Sequence, residues 1–475
     1  MGSLTNDNEA VDPTPHSNFD SDSDSEAAPL VVSVHGGAAS SDPSDPSPVV
    51  PRRRNQNQNQ NQNHTRDVHI LSWAFLFVFS AYGAAQNLES TVNNDGDIGT
   101  ISLAILYLSF TLFSIVASPV VTLLGSKRAL LLGTSGYLFF IAANLKPSWY
   151  TMAPASVYLG FTASIIWVGQ GTYLTTAALT HAQDNNLHEG TVIGAFNGEF
   201  WGMFAGHQVI GNLLSLALLR DGEGDGVTGK NLLFTVFLLC MIIGIVMMCF
   251  LSKRDEKIHD KPTCTSLASL LRSSFAPLLD KRMLLIIPLI AYSGLQQAFV
   301  WAEYTEKIVT PALGISGVGG SMAVYGAADA ICSLIAGRLT SGVHSITWIV
   351  SIGTFLQAFV LLWLLFGYRL TSGLMGTLNP LFMGAIWGVG DGVLNTQLSA
   401  LLGLLFKNNK EAAFAQLKVW QCAAIAIVFF VYPYVSLNSM LVIMLVELVI
   451  SISSFLFLML GVVKSTTAVL LNQPS

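Results

Sequence analysis

The chain is 475 residues long, 52% hydrophobic and only 11% charged, with a mean hydropathy of +0.54. Soluble domains carry about 25% charged residues, so a chain this apolar has no surface to offer water. The composition excludes a soluble enzyme, a disordered scaffold and a disulfide-built secreted module. The net charge of −6 belongs wholly to residues 1–67, where ten acids face four bases, while the other 408 residues balance 19 acids against 19 bases.

Residues 1–67 mix Ser, Asp, Pro and Gly and then run into an Asn-Gln repeat from Asn55 to Asn63. Such a segment buries too little apolar surface to offset its chain entropy, so it reads as a disordered, acidic cytoplasmic tail. No apolar core follows a basic start, which argues against a signal peptide. Asn6 stands where a myristoylation motif needs Ser or Thr. The run Ser21-Asp22-Ser23-Asp24-Ser25-Glu26 either solvates the tail or serves acid-directed kinases.

A helix that crosses a bilayer needs about 20 mostly apolar residues. Taken in chain order, such runs fall at 68–90, 100–123, 129–145, 149–176, 191–219 and 231–251. A second set follows at 283–303, 317–337, 343–366, 372–399, 412–434 and 439–463. The expected fold is therefore an all-α membrane protein of twelve transmembrane helices. Its N-terminal half is 68–251, a basic cytoplasmic linker covers 252–282, the C-terminal half is 283–463, and 464–475 form a short cytoplasmic tail.

Lysine and arginine collect on cytoplasmic loops. With the N-terminus inside, 17 of the 23 bases fall on cytoplasmic segments, five fall outside, and Lys418 lies within a span. Both termini are then cytoplasmic, and the sequon Asn63-His64-Thr65 faces away from the glycosylation machinery. The plasma membrane is the default location, with an endomembrane as the alternative. Cys240, Cys249, Cys332 and Cys422 lie in apolar runs and Cys264 in a polar loop, with no spacing for a disulfide framework or a zinc site. No cofactor is expected, and no nucleic-acid partner; the partners to expect are the lipid bilayer, another membrane protein, and a small solute or cation.

The two halves echo each other. Ala81-Tyr82-Gly83-Ala84-Ala85-Gln86-Asn87 returns as Ala291-Tyr292-Ser293-Gly294-Leu295-Gln296-Gln297, and Ile166-Trp167-Val168-Gly169-Gln170-Gly171 as Ile386-Trp387-Gly388-Val389-Gly390-Asp391-Gly392. Two six-helix halves in parallel repeat are the architecture of major facilitators, with a cavity between them near the midplane. The motifs fall on spans one, four, seven and ten, which line that cavity.

Charges inside spans cost about 2.5–3.5 kcal/mol each on insertion scales, so they face a cavity or a partner. Asp391 and Lys418 lie at comparable depth in spans ten and eleven and are expected to form an ion pair. That pair either locks a closed inner face or acts as a proton- or cation-linked switch. Gln170 and Glu199 take roughly matching places in the first half. Asp329 sits near the midplane of span eight with no base beside it on its helix, which makes it the first candidate for ion coupling. Gln86, Gln296 and Gln297 either hydrogen-bond a solute or meet across the halves. His207 reads as a hydrogen-bonded membrane histidine or a proton relay. Glu303 and Glu306 are placed at or beyond the outer membrane boundary, with Lys307 as a partner for either. Glu447, without a partner in span twelve, is a contact point for another protein. The glycines Gly194, Gly198, Gly202 and Gly206 form one stripe on span five, a device for close helix packing.

Several motifs fail on inspection. Gly224-Asp225-Gly226-Val227-Thr228-Gly229-Lys230 is followed by Asn231 where a phosphate-binding loop needs Ser or Thr. The calcium-loop pattern from Asp221 ends at Leu232 instead of Glu. Leu124-Gly125-Ser126-Lys127-Arg128 resembles the end of the major-facilitator loop motif but lacks its earlier Asp. No enzymatic fingerprint is present.

Other residues carry a family resemblance. Tyr292-Ser293-Gly294-Leu295-Gln296-Gln297-Ala298-Phe299 with Glu303-Tyr304-Thr305, Trp149-Tyr150, Thr172-Tyr173-Leu174-Thr175, Ile386-Trp387-Gly388-Val389-Gly390-Asp391 and Lys410-Glu411-Ala412-Ala413-Phe414-Ala415 resemble the uncoordinated-93-like family over 70–460. The Asn-Gln tail and the lack of the glycosylated outer loops typical of the family suggest a plant branch. The resemblance implies a major-facilitator-like fold and a non-enzymatic protein that binds a potassium channel or transporter and tunes ion homeostasis. Two alternatives stay open: a secondary transporter coupling protons or cations to a small solute, and a trafficking chaperone for another membrane protein.

Overall fold

A computed structural model describes residues 52–92, 98–220, 226–253, 272, 274–368, 373–431 and 434–471. The acidic stretch to residue 51, most of the expected linker and Cys264 lie outside the described residues. All regular structure among the described residues is helical, as expected where lipid offers the backbone no hydrogen-bond partner.

In chain order the long helices are α1 (Arg52–Val92), α2 (Ile98–Leu124), α3 (Ser126–Ala143), α4 (Trp149–Asn185), α5 (Glu189–Arg220) and α6 (Gly226–Cys249). They are followed by α7 (Lys281–Phe299), α8 (Ile315–Leu339), α9 (Val343–Leu362), α10 (Leu374–Leu405), α11 (Lys410–Val431) and α12 (Leu437–Leu471). α7 continues through a π-helical stretch, Val300–Val309, and α9 through a shorter one, Trp363–Gly367. Gly125, at φ 78°, makes the break between α2 and α3 that a residue with a Cβ resists. Asn186, at φ 53°, ends α4 in the left-handed conformation, which asparagine tolerates.

Among the described residues, nine helical segments are long and apolar enough to cross a membrane. α3, α5 and α10 occupy the expected spans 129–145, 191–219 and 372–399 but are not among the nine. For α10 the physical reason is visible: every residue from 390 to 403 is buried in protein. A helix wrapped by other helices meets little lipid and can carry Asp391, Asn395, Thr396 and Gln397 on one short stretch.

One expectation is corrected at the N-terminus. α1 begins at Arg52, so residues 52–67 are helical, not part of a disordered tail. His64 Nε2 lies 3.1 Å from Asp184 Oδ2 at the end of α4. Asp67 is fully buried and accepts from Tyr173 OH at 2.9 Å and Ser252 Oγ at 3.1 Å. A span already formed removes the nucleation cost, so even a Gln-rich extension continues the helix.

These contacts mark one end of the bundle, where the basic residues gather. Lys127 Nζ donates to Cys249 O at 2.9 Å, Gln416 Nε2 to Ser274 O at 3.0 Å, and Glu189 pairs with Lys407 between α5 and α10. Arg282 grips Asp280 at 2.6–3.1 Å, donates to Leu405 O at 3.1 Å, and lies 5.1 Å from the centre of the Phe406 ring. This clamp ties the start of α7 to the end of α10. The same guanidinium holds the Asp280 carboxyl below the usual carboxylate range. Through the middle, α5 packs on α8 and α1, α2 on α11, and α8 on α10.

Candidate functional site

Two acids of the membrane body, Asp329 and Asp391, meet on the seam between α8 and α10. Glycines permit the approach: a Cβ on Gly388 would lie 2.1 Å from Tyr325 O, and one on Gly392 would lie 2.9 Å from Asp329 Oδ1. With the helices that close, Tyr325 OH donates to Asp391 Oδ2 at 2.6 Å. Gln297 Nε2 of α7 donates to Asp391 Oδ1 at 2.8 Å, and Asn395, one turn along α10, donates to the same oxygen at 3.0 Å. Three neutral donors therefore satisfy a buried carboxylate, the condition under which a protein interior accepts one. Asp329 lies on the same seam and accepts from Ser333 Oγ at 3.0 Å.

The expected Asp391–Lys418 ion pair is not formed. Lys418 Nζ donates instead to Gln421 Oε1 at 2.7 Å and stands 4.5 Å from the centre of the Trp167 ring, on α4. Gln421 Nε2 reaches Ser293 Oγ at 3.2 Å and Gln297 Oε1 at 3.5 Å, and Gln297 in turn holds Asp391. Sequence position gives depth in the membrane but not lateral spacing, and α7 inserts Gln297 between the two charges. Trp167 stacks on Trp201 of α5, with centroids 5.7 Å apart and planes 7° from parallel. Trp201 Nε1 donates to Ser399 Oγ of α10 at 3.1 Å.

The other candidates are dispersed. Gln86 donates to Tyr107 OH at 2.7 Å and Gln296 to Trp387 O at 3.3 Å, so neither glutamine meets the other. Gln170 is buried, and its Nε2 has no hydrogen-bond partner. Glu199 Oε1 lies 2.5 Å from His69 Nδ1 of α1, an ion-pair contact that the sequence reading missed. His207 Nδ1 lies 2.5 Å from Phe204 O, and its ring packs over Gly83.

Glu303 is fully buried on the π-helical stretch, and of the two partners expected for Lys307 it is the one engaged, with Lys307 Nζ 3.4 Å from its Oε2. Tyr304 beside it donates to Pro380 O and meets Ser321 Oγ at 3.2 Å, packing this stretch against α8 and α10.

Tyr325 and Gln421 are the site residues that sequence reasoning passed over. A signal was present: Tyr325 lies four residues before Asp329, and Gln421 three after Lys418, both on helical neighbours' spacing. Tyr292, which the sequence shows only as part of a repeated motif, donates its OH to Gln357 Oε1 at 2.5 Å and joins α7 to α9. Among the described residues, no three His, Cys, Asp or Glu side chains converge as metal ligands do.

Comparison with known proteins agrees with this architecture. The family model described as "Ion channel regulatory protein UNC-93" matches residues 92–456. The chain is 65% identical over 389 residues to UNC93-like protein 3 of Arabidopsis thaliana, covering 81% of this chain and 83% of that one. It is 30% identical over 432 residues to the putative potassium channel regulatory protein unc-93 of Caenorhabditis elegans, covering 82% and 60% of the two chains. Among solved structures it resembles the Escherichia coli fucose:proton symporter, a major facilitator, with a TM-score of 0.62 at 11% identity over 83% of this chain and 99% of that one. It also resembles the human organic anion transporter MFSD10, with a TM-score of 0.61 at 13% identity over the same shares. At such identities the likeness concerns the fold alone.

Proposed function

This chain belongs to the UNC-93 family, and from that membership we propose that it regulates potassium homeostasis by associating with a channel or transporter in the membrane. The observation that carries the reading is the family match across 92–456, together with the worm relative named as a potassium channel regulatory protein. The interior is compatible with it. Asp391 accepts from three neutral groups, Lys418 donates to Gln421, and Trp167 stacks on Trp201. The transporter-like fold then serves as a scaffold for a partner.

Within this proposal the twelve helices form two six-helix halves, 68–251 and 283–463, joined by the basic linker. The basic end is cytoplasmic, by the bias of Lys and Arg, and the plasma membrane is the site of action. In this arrangement α4 and α10, which carry the repeated Ile-Trp segments, meet across the halves.

A second reading, a proton- or cation-coupled transporter, draws on one observation. Gln170 Nε2, Gln296 Oε1 and Trp387 Nε1 are buried without hydrogen-bond partners, and unsatisfied buried polar atoms invite a ligand. One pair of measurements separates the readings. Depleting the chain from its native cells should change whole-cell potassium current, and the wild-type chain should restore it, while the purified chain in liposomes passes no rubidium. Proton- or cation-driven uptake by the purified chain, abolished by Asp329→Asn, would overturn the regulatory reading.

A further inference from the structure

Glu447 is the acid that neither the interior relay nor the basic end absorbs. It lies on α12, where Leu437–Gly461 is long and apolar enough to cross a membrane. Ten residues of that stretch precede it and fourteen follow, about 15 Å and 21 Å of helix at 1.5 Å per residue. A hydrocarbon core is about 30 Å thick, so the carboxyl stands near the middle of the membrane.

One side of α12 packs on α7 and α9. Met444, Leu448 and Ser451 are buried on that side, while Val446, Val449 and Ile450 are about half exposed. Glu447 sits at the edge between the two, partly exposed. A helix with an open face needs no such group: the membrane-length stretch of α6, Leu232–Cys249, has no charged residue.

Four other acids of the spans are occupied inside the chain. Asp391 has three donors, Asp329 has Ser333, Glu199 meets His69 and Glu303 meets Lys307. Among the described residues, no base lies within ion-pair distance of Glu447. Ser451, one turn on, lies beside it, but the single hydroxyl proton of Ser451 goes to Pro288 O on α7 at 2.9 Å. Lipid tails offer no hydrogen-bond donor at this depth, and a carboxyl among them is costly unless something answers it. The complement of a partly exposed carboxyl on an apolar ridge is an apolar helix with one basic side chain. The short, stiff side chains of Val446, Val449 and Ile450 let such a helix come close.

We propose that this face of α12 docks a transmembrane helix of another protein, and that a Lys or Arg near the middle of that helix pairs with Glu447. A second copy of the chain is a poorer occupant, since a two-fold contact centred here would set two carboxyls against one another. The inference rests on the reading of the chain as an associating protein and names the surface it uses. Its test reads helix association in a bilayer and no potassium current, so either can fail while the other stands.

The full-length chain is reconstituted in phosphatidylcholine vesicles with poly-leucine transmembrane peptides, chain and peptide carrying fluorophores for energy transfer. The peptides bear Lys, Leu or Glu at the central position, so either direction of insertion brings that residue to the depth of Glu447. The Lys peptide should associate about tenfold more tightly than the Leu or Glu peptide. Glu447→Leu should remove that preference, and Glu447→Asp should keep most of it. Val446→Trp and Ile450→Trp, which leave the carboxyl but crowd the face, should each weaken the Lys peptide. Ile243→Trp, on the open face of α6, should not. Thermal unfolding in detergent identifies any variant that fails to fold, and if Glu447→Leu is one, the tryptophan variants carry the comparison. The proposal is overturned by a Lys peptide that associates no better than the Leu peptide, or by an unchanged preference in folded Glu447→Leu. It is also overturned by energy transfer between copies of the chain that Glu447→Leu abolishes while the peptides stay apart, which would assign the face to a second copy.

Discussion

Gly198 of α5 and Gly337 of α8 stand backbone to backbone: a Cβ placed on Gly198 would fall 2.6 Å from the Gly337 Cα, and one on Gly337 would fall 2.4 Å from the Gly198 Cα. No real Cβ tolerates such a contact with main chain, so the helices must part to admit even alanine. Gly198→Ala should therefore destabilise the folded protein by about 1–3 kcal/mol through overpacking. Gly206→Ala is the control, since its Cβ would meet only Leu76 at 3.5 Å, and it should leave the melting temperature in detergent almost unchanged. Equal melting temperatures for the two variants would show that the stripe does not set the approach of α5 to α8.

The relay between Lys418 and Asp391 predicts a weak coupling where a direct ion pair would give a strong one. A double-mutant cycle on Asp391→Asn and Lys418→Gln should return less than about 1 kcal/mol. The cycle on Asp391→Asn and Tyr325→Phe should return about 1.5–3 kcal/mol, the range for a hydrogen bond to a charged group. Denaturant unfolding in mixed micelles supplies both numbers, and the reverse ranking would contradict the geometry.

At the basic end, Asp280 caps α7 by accepting from Arg282 N at 2.8 Å while the Arg282 side chain clamps it. Loss of the cap in Asp280→Ala should cost about 1 kcal/mol. The half-exposed guanidinium adds little to that because solvent screens it. The folded carboxyl is held below its ordinary value, near 3.9 in an unfolded chain, so its stabilisation is complete above that value. It is lost only as pH falls through the lower, folded value. The difference between wild type and Asp280→Ala should stay level from about pH 5 to 8 and narrow below about pH 4; a difference that already changes between pH 6 and 7 would show another group in control.

Glu189 and Lys407 join the start of α5 to the end of α10 across the basic end, both partly exposed. Glu189→Lys and Lys407→Glu should each lower the melting temperature slightly, by an amount corresponding to at most about 1 kcal/mol. The double reversal should recover it. In about 1 M salt, where the screening length is about 3 Å, the single variants should draw level with the wild type. A double reversal no better than the singles would mean that the ends are held together by packing alone.

The candidate residues were legible in part. Asp391, Lys418, Gln297 and Asp329 were identifiable because an ionisable or amide side chain inside an apolar run has few bland explanations. Their partners were not. Tyr325 carries no sequence signal beyond its spacing from Asp329, and only the α8–α10 and α4–α11 contacts give it and Trp167 polar roles. The glycine stripe on α5 was read as packing, and its contacts with Thr340, Gly337 and Leu334 of and beside α8 are of that kind.

The sequence by itself determined the solvent of this protein, its helical class and its family, because apolar runs of membrane length admit little else and the motifs from Trp149 to Ala415 are specific. Periodicity and charge count report what each helix faces on average, in one dimension. Only the tertiary structure decided which buried charges touch. Lateral neighbours at equal depth are set by how helices pack, and here α7 places Gln297 between Asp391 and the Gln421 that holds Lys418. The ion pair that sequence position implied became a four-member relay, and that relay leaves Lys418 with donors to spare.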